Sequence, residues 1–234
     1  MDEINIIINE ILNLTDHYLV RARAESSHYF NEFIIAAQIM KNVMTNDEFE
    51  NWCAEKMLLK QQTFAEKAFI QYAVETSAAR YFAEKHNENF KVEAKINPTN
   101  NKDVDIQFTN RGCTYNVEVK CSDFVSKEET ENKYGFKFGT IGRLPDRGDE
   151  AIKAISSAWD EGLTQKGESL KPFLTNKKMD NNLKDFLESA HNKFNPSPNE
   201  SEVNILLVGC DDKNDIQNWH NYLFAGQGLF TNDS

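Results

Sequence analysis

Two hydrophobic rhythms divide the chain. Before residue 87, apolar side chains recur every three or four positions, the spacing of one helix face. Ile4, Ile7, Ile8, Ile11 and Leu12 form one such stripe, and Phe30, Phe33, Ile34, Ala37 and Met40 form a second. Asn46 or Asp47 is placed to cap a third helix that carries Phe49, Trp52 and Cys53. Residues 1–60 therefore read as a helical extension packed on a main domain at 61–234. The longest helical stretch runs from 62 to about 86, with Phe64, Ala68, Tyr72, Ala79 and Phe82 along its apolar side. Glu75 falls beside that stripe, among Ala73, Val74, Ala78 and Ala79, where an unpaired carboxylate is costly.

From residue 90 the period drops to two. Residues 90–96 predict a first strand, ended by Asn97-Pro98-Thr99-Asn100-Asn101. Residues 102–108 and 115–122 alternate more sharply around a short Gly-bearing loop at 109–113, the pattern of an antiparallel hairpin. Successive strand side chains point to opposite faces. Val104, Ile106 and Phe108 thus share a core face with Val117 and Val119, while Asp103, Asp105 and Gln107 share the other with Asn116, Glu118 and Lys120. Residues 123–148 form a long polar connection, of the kind that often carries function. Helices are predicted at 149–162, through Ile152, Ile155 and Trp159, and at 181–194, through Leu183, Phe186 and Leu187. The nearly continuous apolar run at 203–210 predicts a strand buried on both faces. Trp219, Tyr222, Leu223 and Phe224 belong to a last helix. The order helix, three strands, helices, strand predicts an α/β chain of the α+β kind, a mixed sheet with helices packed on it.

Composition narrows the classes. With 234 residues, 40% hydrophobic and 11% aromatic, the chain can bury a substantial core. A net charge of -11 argues against a protein that coats nucleic acid without specificity. Cys53, Cys113, Cys121 and Cys210 are scattered, with no C-x-x-C pair, and read as small core residues in a reducing compartment. The first ten residues carry acids where a signal peptide needs bases, and no apolar run approaches a membrane span, so a cytoplasmic protein is expected. The five histidines are isolated from one another and read as surface or satisfied core residues.

The candidate chemistry lies on the polar face of the hairpin. Glu-x-Lys occurs at Glu93-Ala94-Lys95, Glu118-Val119-Lys120 and Glu131-Asn132-Lys133, so the tripeptide alone carries little. Only the second stands on an alternating strand preceded, at hairpin distance, by a strand bearing Asp. A literal Pro145-Asp146 is followed by neither a strand nor a Glu-x-Lys.

A helix with Glu75, a strand, a strand with Asp105 and a strand with Glu118-Val119-Lys120 resemble, in that order, the PD-(D/E)xK nuclease superfamily, which has the restriction-endonuclease-like fold. The likeness covers about residues 62–122 in motif, and reaches 210 if the strand at 203–210 is the fourth core strand. It implies an αβββαβ core and a metal-dependent endonuclease that hydrolyses phosphodiester bonds, most often of DNA, with RNA left open. In that scheme Asp105 and Glu118 hold Mg2+ or Mn2+, helped by the Val119 carbonyl, and Lys120 assists the attacking water. Glu75 would hold the ion's water or a second ion. No proline precedes either acid, since Lys102 and Val104 stand there, so Asp103 competes with Asp105, which lies deeper in the strand. Lys133, Lys137, Arg143 and Arg147 in the long connection are candidates for phosphate contact. The first 60 residues fall outside the likeness and would serve as a dimer surface, a surface for a protein partner, a cover or part of a nucleic-acid clamp. A non-catalytic adaptor or binding module on the same fold is the alternative, and the acidic balance fits it.

Overall fold

The computed structural model describes residues 17–25, 28–57, 65–86, 88–122, 136–138, 148–167, 173–175, 179–210, 213–226 and 228–231. The chain divides into two compact units, Met1–Cys121 with Glu188–Gly209, and Ser122–Leu187 with Cys210–Ser234. The expected helix through Ile4–Leu12 lies outside the described residues, as do Phe64 and most of the 123–148 connection.

The first unit is built on a mixed sheet. Strands β1 (Lys91–Ala94), β2 (Val104–Asn110) and β3 (Cys113–Cys121) form an antiparallel meander, and β6 (Glu202–Gly209) pairs in parallel with β3. The β2–β3 turn is tighter than the spacing predicts. Only Arg111 and Gly112 lie between Asn110 and Cys113, at φ 51° and 79°. Two consecutive positive φ values suit a two-residue hairpin whose twist matches its strands, and glycine takes the second at no steric cost. The first strand is shorter than 90–96, and Glu93 within it has φ 51°.

Helices α1 (Tyr18–Ala24), α2 (His28–Val43), α3 (Asn46–Glu55) and α4 (Glu66–Lys85) share one continuous core with this sheet. Phe33, Met40, Trp52, Met57 and Phe69 bury against the face that carries Ile106, Phe108, Val117 and Val119. The buried line of α4 runs through Phe69, Thr76, Ala79 and Ala83. Its small side chains let the helix approach the strands closely. The cap of α3 differs from expectation. Thr45, not Asn46 or Asp47, is the N-cap, in a capping box where Thr45 Oγ1 accepts the Glu48 N–H and Glu48 Oε2 accepts the Thr45 N–H. Asn46 is already the first helical residue.

A second expectation is corrected at β6. It is an edge strand of the described sheet, half-buried along much of its length, with Val203 at 38% exposure and Asn204 exposed. A continuous apolar run signals burial on both faces only when both flanks are paired and covered, which pattern alone does not specify.

The second unit contains a two-stranded parallel sheet, β4 (Phe136–Phe138) with β5 (Phe173–Thr175), which the polarity of the flanking sequence hid. Helices α5 (Gly148–Gln165) and α7 (Lys213–Phe224) belong to it, as does all but the last turn of α6 (Met179–His191). Phe186 and Trp219 stack at 6.4 Å between ring centres. Among the described residues no helix is long and apolar enough to cross a membrane.

Candidate active site

The polar face of the hairpin is largely covered at its centre. Asn116 is 1% exposed and Glu118 is fully buried, although both point away from the face carrying Val117 and Val119. An amide ladder ties three strands together here. Gln107 Nε2 donates to Asn116 Oδ1 at 2.8 Å, and Asn116 Nδ2 donates to Asn204 Oδ1 at 3.0 Å. The buried amide of Asn116 is thus satisfied on both sides by neighbours in register, as burial requires.

One step along β3 the ladder changes from amides to charges. The β2–β3 pairing ends at Ile106–Val117, and beyond it Asp105 Oδ2 accepts the Val119 N–H at 2.6 Å. A side chain thus takes a donor that the strand partner's backbone would otherwise use. Glu118 Oε1 lies 2.6 Å from Lys120 Nζ and 2.8 Å from Lys193 Nζ. Lys193 Nζ also stands 3.8 Å from Asp105 Oδ1. The other Glu118 oxygen, Oε2, is buried with no hydrogen-bond donor among the described residues. Asp103 acts on Lys193 only at longer range, so Asp105 is the acid that faces Glu118.

Glu75 belongs to the same cluster. Its Oε2 accepts from Lys56 Nζ at 2.9 Å, and Lys56 also reaches Glu93 Oε1 at 3.2 Å and the face of Tyr72. A cavity of about 30 Å3, room for a water, has Glu75, Lys56, Glu93 and Asp105 in its wall. A larger cavity of about 410 Å3 between α2 and α4 has apolar side chains such as Phe33 and Phe69 in its wall, with Thr76, Ser77 and Arg80, whose guanidinium is already bonded to the two acids that line it, Glu32 and Glu84. The chemistry therefore concentrates at the smaller one.

Burial and crowding of like charge set the electrostatics. Desolvation, with the neighbouring Glu118 carboxylate, raises the Asp105 pKa above the ordinary aspartate value. Desolvation and then Asp105 raise Glu75 in the same way, against the pull of Lys56 and Lys193. Burial works to lower Lys193, but Asp105 and Glu118 outweigh it and its pKa is raised. Lys56 is raised too, burial being outweighed by Glu75 and Glu93. Four carboxylates and three ammonium groups thus interlock around one end of the hairpin.

All four sequence-predicted residues, Glu75, Asp105, Glu118 and Lys120, meet at this cluster. Two lysines in it had no local signal. Lys56 follows α3, and Lys193 follows α6 in a turn clamped from the β1–β2 loop. Asn97 Nδ2 donates to the carbonyls of Asn192 and Phe194, and Asn100 Nδ2 donates to Asn192. The backbone on both sides of Lys193 is thereby held. Of the residues predicted to contact phosphate, Lys133, Arg143 and Arg147 lie outside the described residues. Lys137 is in β4, with its side chain outside the description.

Among the described residues, no three Asp, Glu, His or Cys side chains are grouped to enclose a metal ion. Two carboxylates suffice for an ion such as Mg2+ that keeps most of its waters. Asp105 and Glu118, the latter with its unpartnered Oε2, supply oxygen donors of the right hardness. No protein-family model, no curated protein and no solved structure matches this chain.

Proposed function

We propose that this protein is a divalent-metal-dependent nuclease with a restriction-endonuclease-like core, acting on DNA, with RNA the other phosphodiester open to it. The observation that carries the reading is the fully buried Glu118 carboxylate. It faces a second carboxylate and two ammonium groups, and one of its oxygens has no hydrogen-bond donor among the described residues. A buried carboxylate left partly unsatisfied is expensive and persists where a ligand completes it. Asp105 and Glu118 would hold Mg2+ or Mn2+, which when bound supplies Lewis acidity toward a phosphoryl oxygen and makes water a stronger acid. Lys120, one pleat beyond Glu118, would orient the attacking water or hold the phosphate. Glu75 would fix a water in the small cavity that it shares with Asp105. Outside the described residues, Lys133, Arg143 and Arg147 remain candidates for the backbone of the substrate, with Lys137 in β4.

Purified protein should nick or degrade DNA in Mg2+ or Mn2+, and chelation should stop it. Glu118→Gln and Lys120→Ala, checked by circular dichroism for retained folding, should each lower the rate by about 100-fold or more, the loss expected for a group acting in the chemical step. Cleavage by both variants at the parent rate would refute the assignment.

A second reading is favoured by Lys193, whose ammonium already bridges the two acids. On this reading the cluster is a self-neutralised salt-bridge network in a non-catalytic adaptor or binding module. Calorimetry with Mn2+ separates the two, since an adaptor of that kind takes up no ion at Asp105 and Glu118.

A further inference from the structure

We infer that Lys193 is a removable internal counter-ion, which holds the place of the divalent cation between Asp105 and Glu118 and sets the affinity with which the ion enters. This rests on the metal reading of the site given above. Lys193 Nζ is 2.8 Å from Glu118 Oε1 and 3.8 Å from Asp105 Oδ1, so the ammonium lies where a shared cation would bridge the two acids. Its role differs from that of Lys120, which stands on the same strand as Glu118 and touches Oε1 without reaching the Asp105 carboxylate at ion-pair distance.

The anchoring of Lys193 suits a part that moves only at its tip. Its backbone follows α6 in a turn closed by Lys193 N–H and Phe194 N–H bonds to the Ala190 carbonyl. Asn97 and Asn100 secure the flanking carbonyls. The side chain, about one-fifth exposed, enters the site on a flexible four-carbon stem. Swinging that stem outward breaks no backbone hydrogen bond. It leaves Glu118 with Lys120 alone and Asp105 without an ion-pair partner among the described residues, a state favourable only if another cation takes the place of the ammonium. Metal entry and lysine departure are therefore one exchange.

The mirror arrangement at Lys56, between Glu75 and Glu93, shows the same economy of charge. It differs in lying against the Tyr72 ring, 4.5 Å from its centre, which favours its staying in place. Lys193 has no such ring contact among the described residues and is the exchangeable member.

The test is calorimetric titration of the full 234-residue chain with Mn2+ at neutral pH and low salt, comparing wild type with Lys193→Met and Lys193→Arg. Removing the competing charge should tighten Mn2+ binding by roughly tenfold or more in Lys193→Met, whereas Lys193→Arg should not tighten it. In chelator, Lys193→Met should melt below wild type, because two buried acids lose a partner, and saturating Mn2+ should raise its melting temperature more than that of wild type. Equal affinity in wild type and Lys193→Met, or weaker binding by the variant, would overturn the exchange and leave the metal site standing. Equal tightening by Arg and Met would overturn it as well, since the effect would then not depend on charge. Mn2+ binding to neither wild type nor Lys193→Met would remove the metal reading and this inference together.

Discussion

At His17 the ring is fully buried at the start of α1, with Nδ1 accepting the Leu19 N–H at 3.1 Å and Nε2 2.9 Å from the Met57 carbonyl. These partners assign the tautomer: Nε2 carries the proton and Nδ1 is the acceptor. A second proton on Nδ1 would confront the Leu19 N–H, and desolvation, the larger effect, already lowers the pKa below 6.5. The unfolded chain therefore binds more protons than the folded one below about pH 6.5, so stability falls as the pH drops from there toward the folded-state pKa. Asn at this position can keep the N-cap but cannot reach Met57. His17→Asn should cost about 1–3 kcal/mol at pH 7.5, for the carbonyl left without its donor. In urea melts, the gap between variant and wild type should narrow by pH 5.5. A constant gap would show that His17 stays protonatable in the fold. Glu118 illustrates the opposite use of burial, a carboxylate that neighbouring ammonium groups hold in the fold.

At the scale of elements, α4 and β6 meet at Gly209. A Cβ built there would lie 2.5 Å from Val74 Cγ1. Valine on a helix is stiff about χ1, so the methyl cannot easily turn away. Gly209→Ala should destabilise by about 1–3 kcal/mol, and most of that cost should vanish in a Val74→Ala background. A double-mutant cycle by chemical denaturation measures this. Additive losses would mean that the strand end shifts instead of meeting the helix. The same close approach keeps Glu75, next to Val74 on α4, in range of the site. Elements were legible to different degrees. The hairpin was written in its alternation and in Arg111-Gly112. The capping box of α3 was equally written, as Thr45 with Glu48 three residues on, yet the neighbouring Asn46 and Asp47 are strong cappers too and obscured it. The edge position of β6 had no local mark, because Ile205, Leu206 and Leu207 read alike at the edge or the centre of a sheet.

For the whole molecule, the net charge of -11 sets the terms on which a polyanion can approach. Nucleic-acid binding by lysine and arginine alone releases counterions and weakens steeply with salt. A site built from carboxylates adds repulsion unless a divalent ion is present. Fluorescence anisotropy with labelled DNA should therefore show little binding in chelator at physiological salt. It should show clear binding when Ca2+, a hard cation that takes oxygen ligands, is added, and Glu118→Gln should reduce that gain. Equal binding with and without the ion would point to a basic surface elsewhere as the main contact. On the proposed reading, the acid-rich composition and the acid-lined site make one demand, a cation between protein and substrate.

Hydrophobic period by itself determined that the chain has a helical front, an antiparallel hairpin and later helices, and that Asp105, Glu118 and Lys120 share a face. A strand's side chains alternate whatever surrounds them, so such facts are local. Only the tertiary structure decided that this face is partly covered, that Glu118 is fully buried, and that Lys193 and Lys56 arrive from segments remote in sequence to balance the charge of Glu118 and of Glu75. Periodicity records which side of an element avoids water. It does not record what covers the other side, because that depends on loops such as 97–100 gripping a turn such as 192–194 through hydrogen bonds that leave no repeat in the sequence.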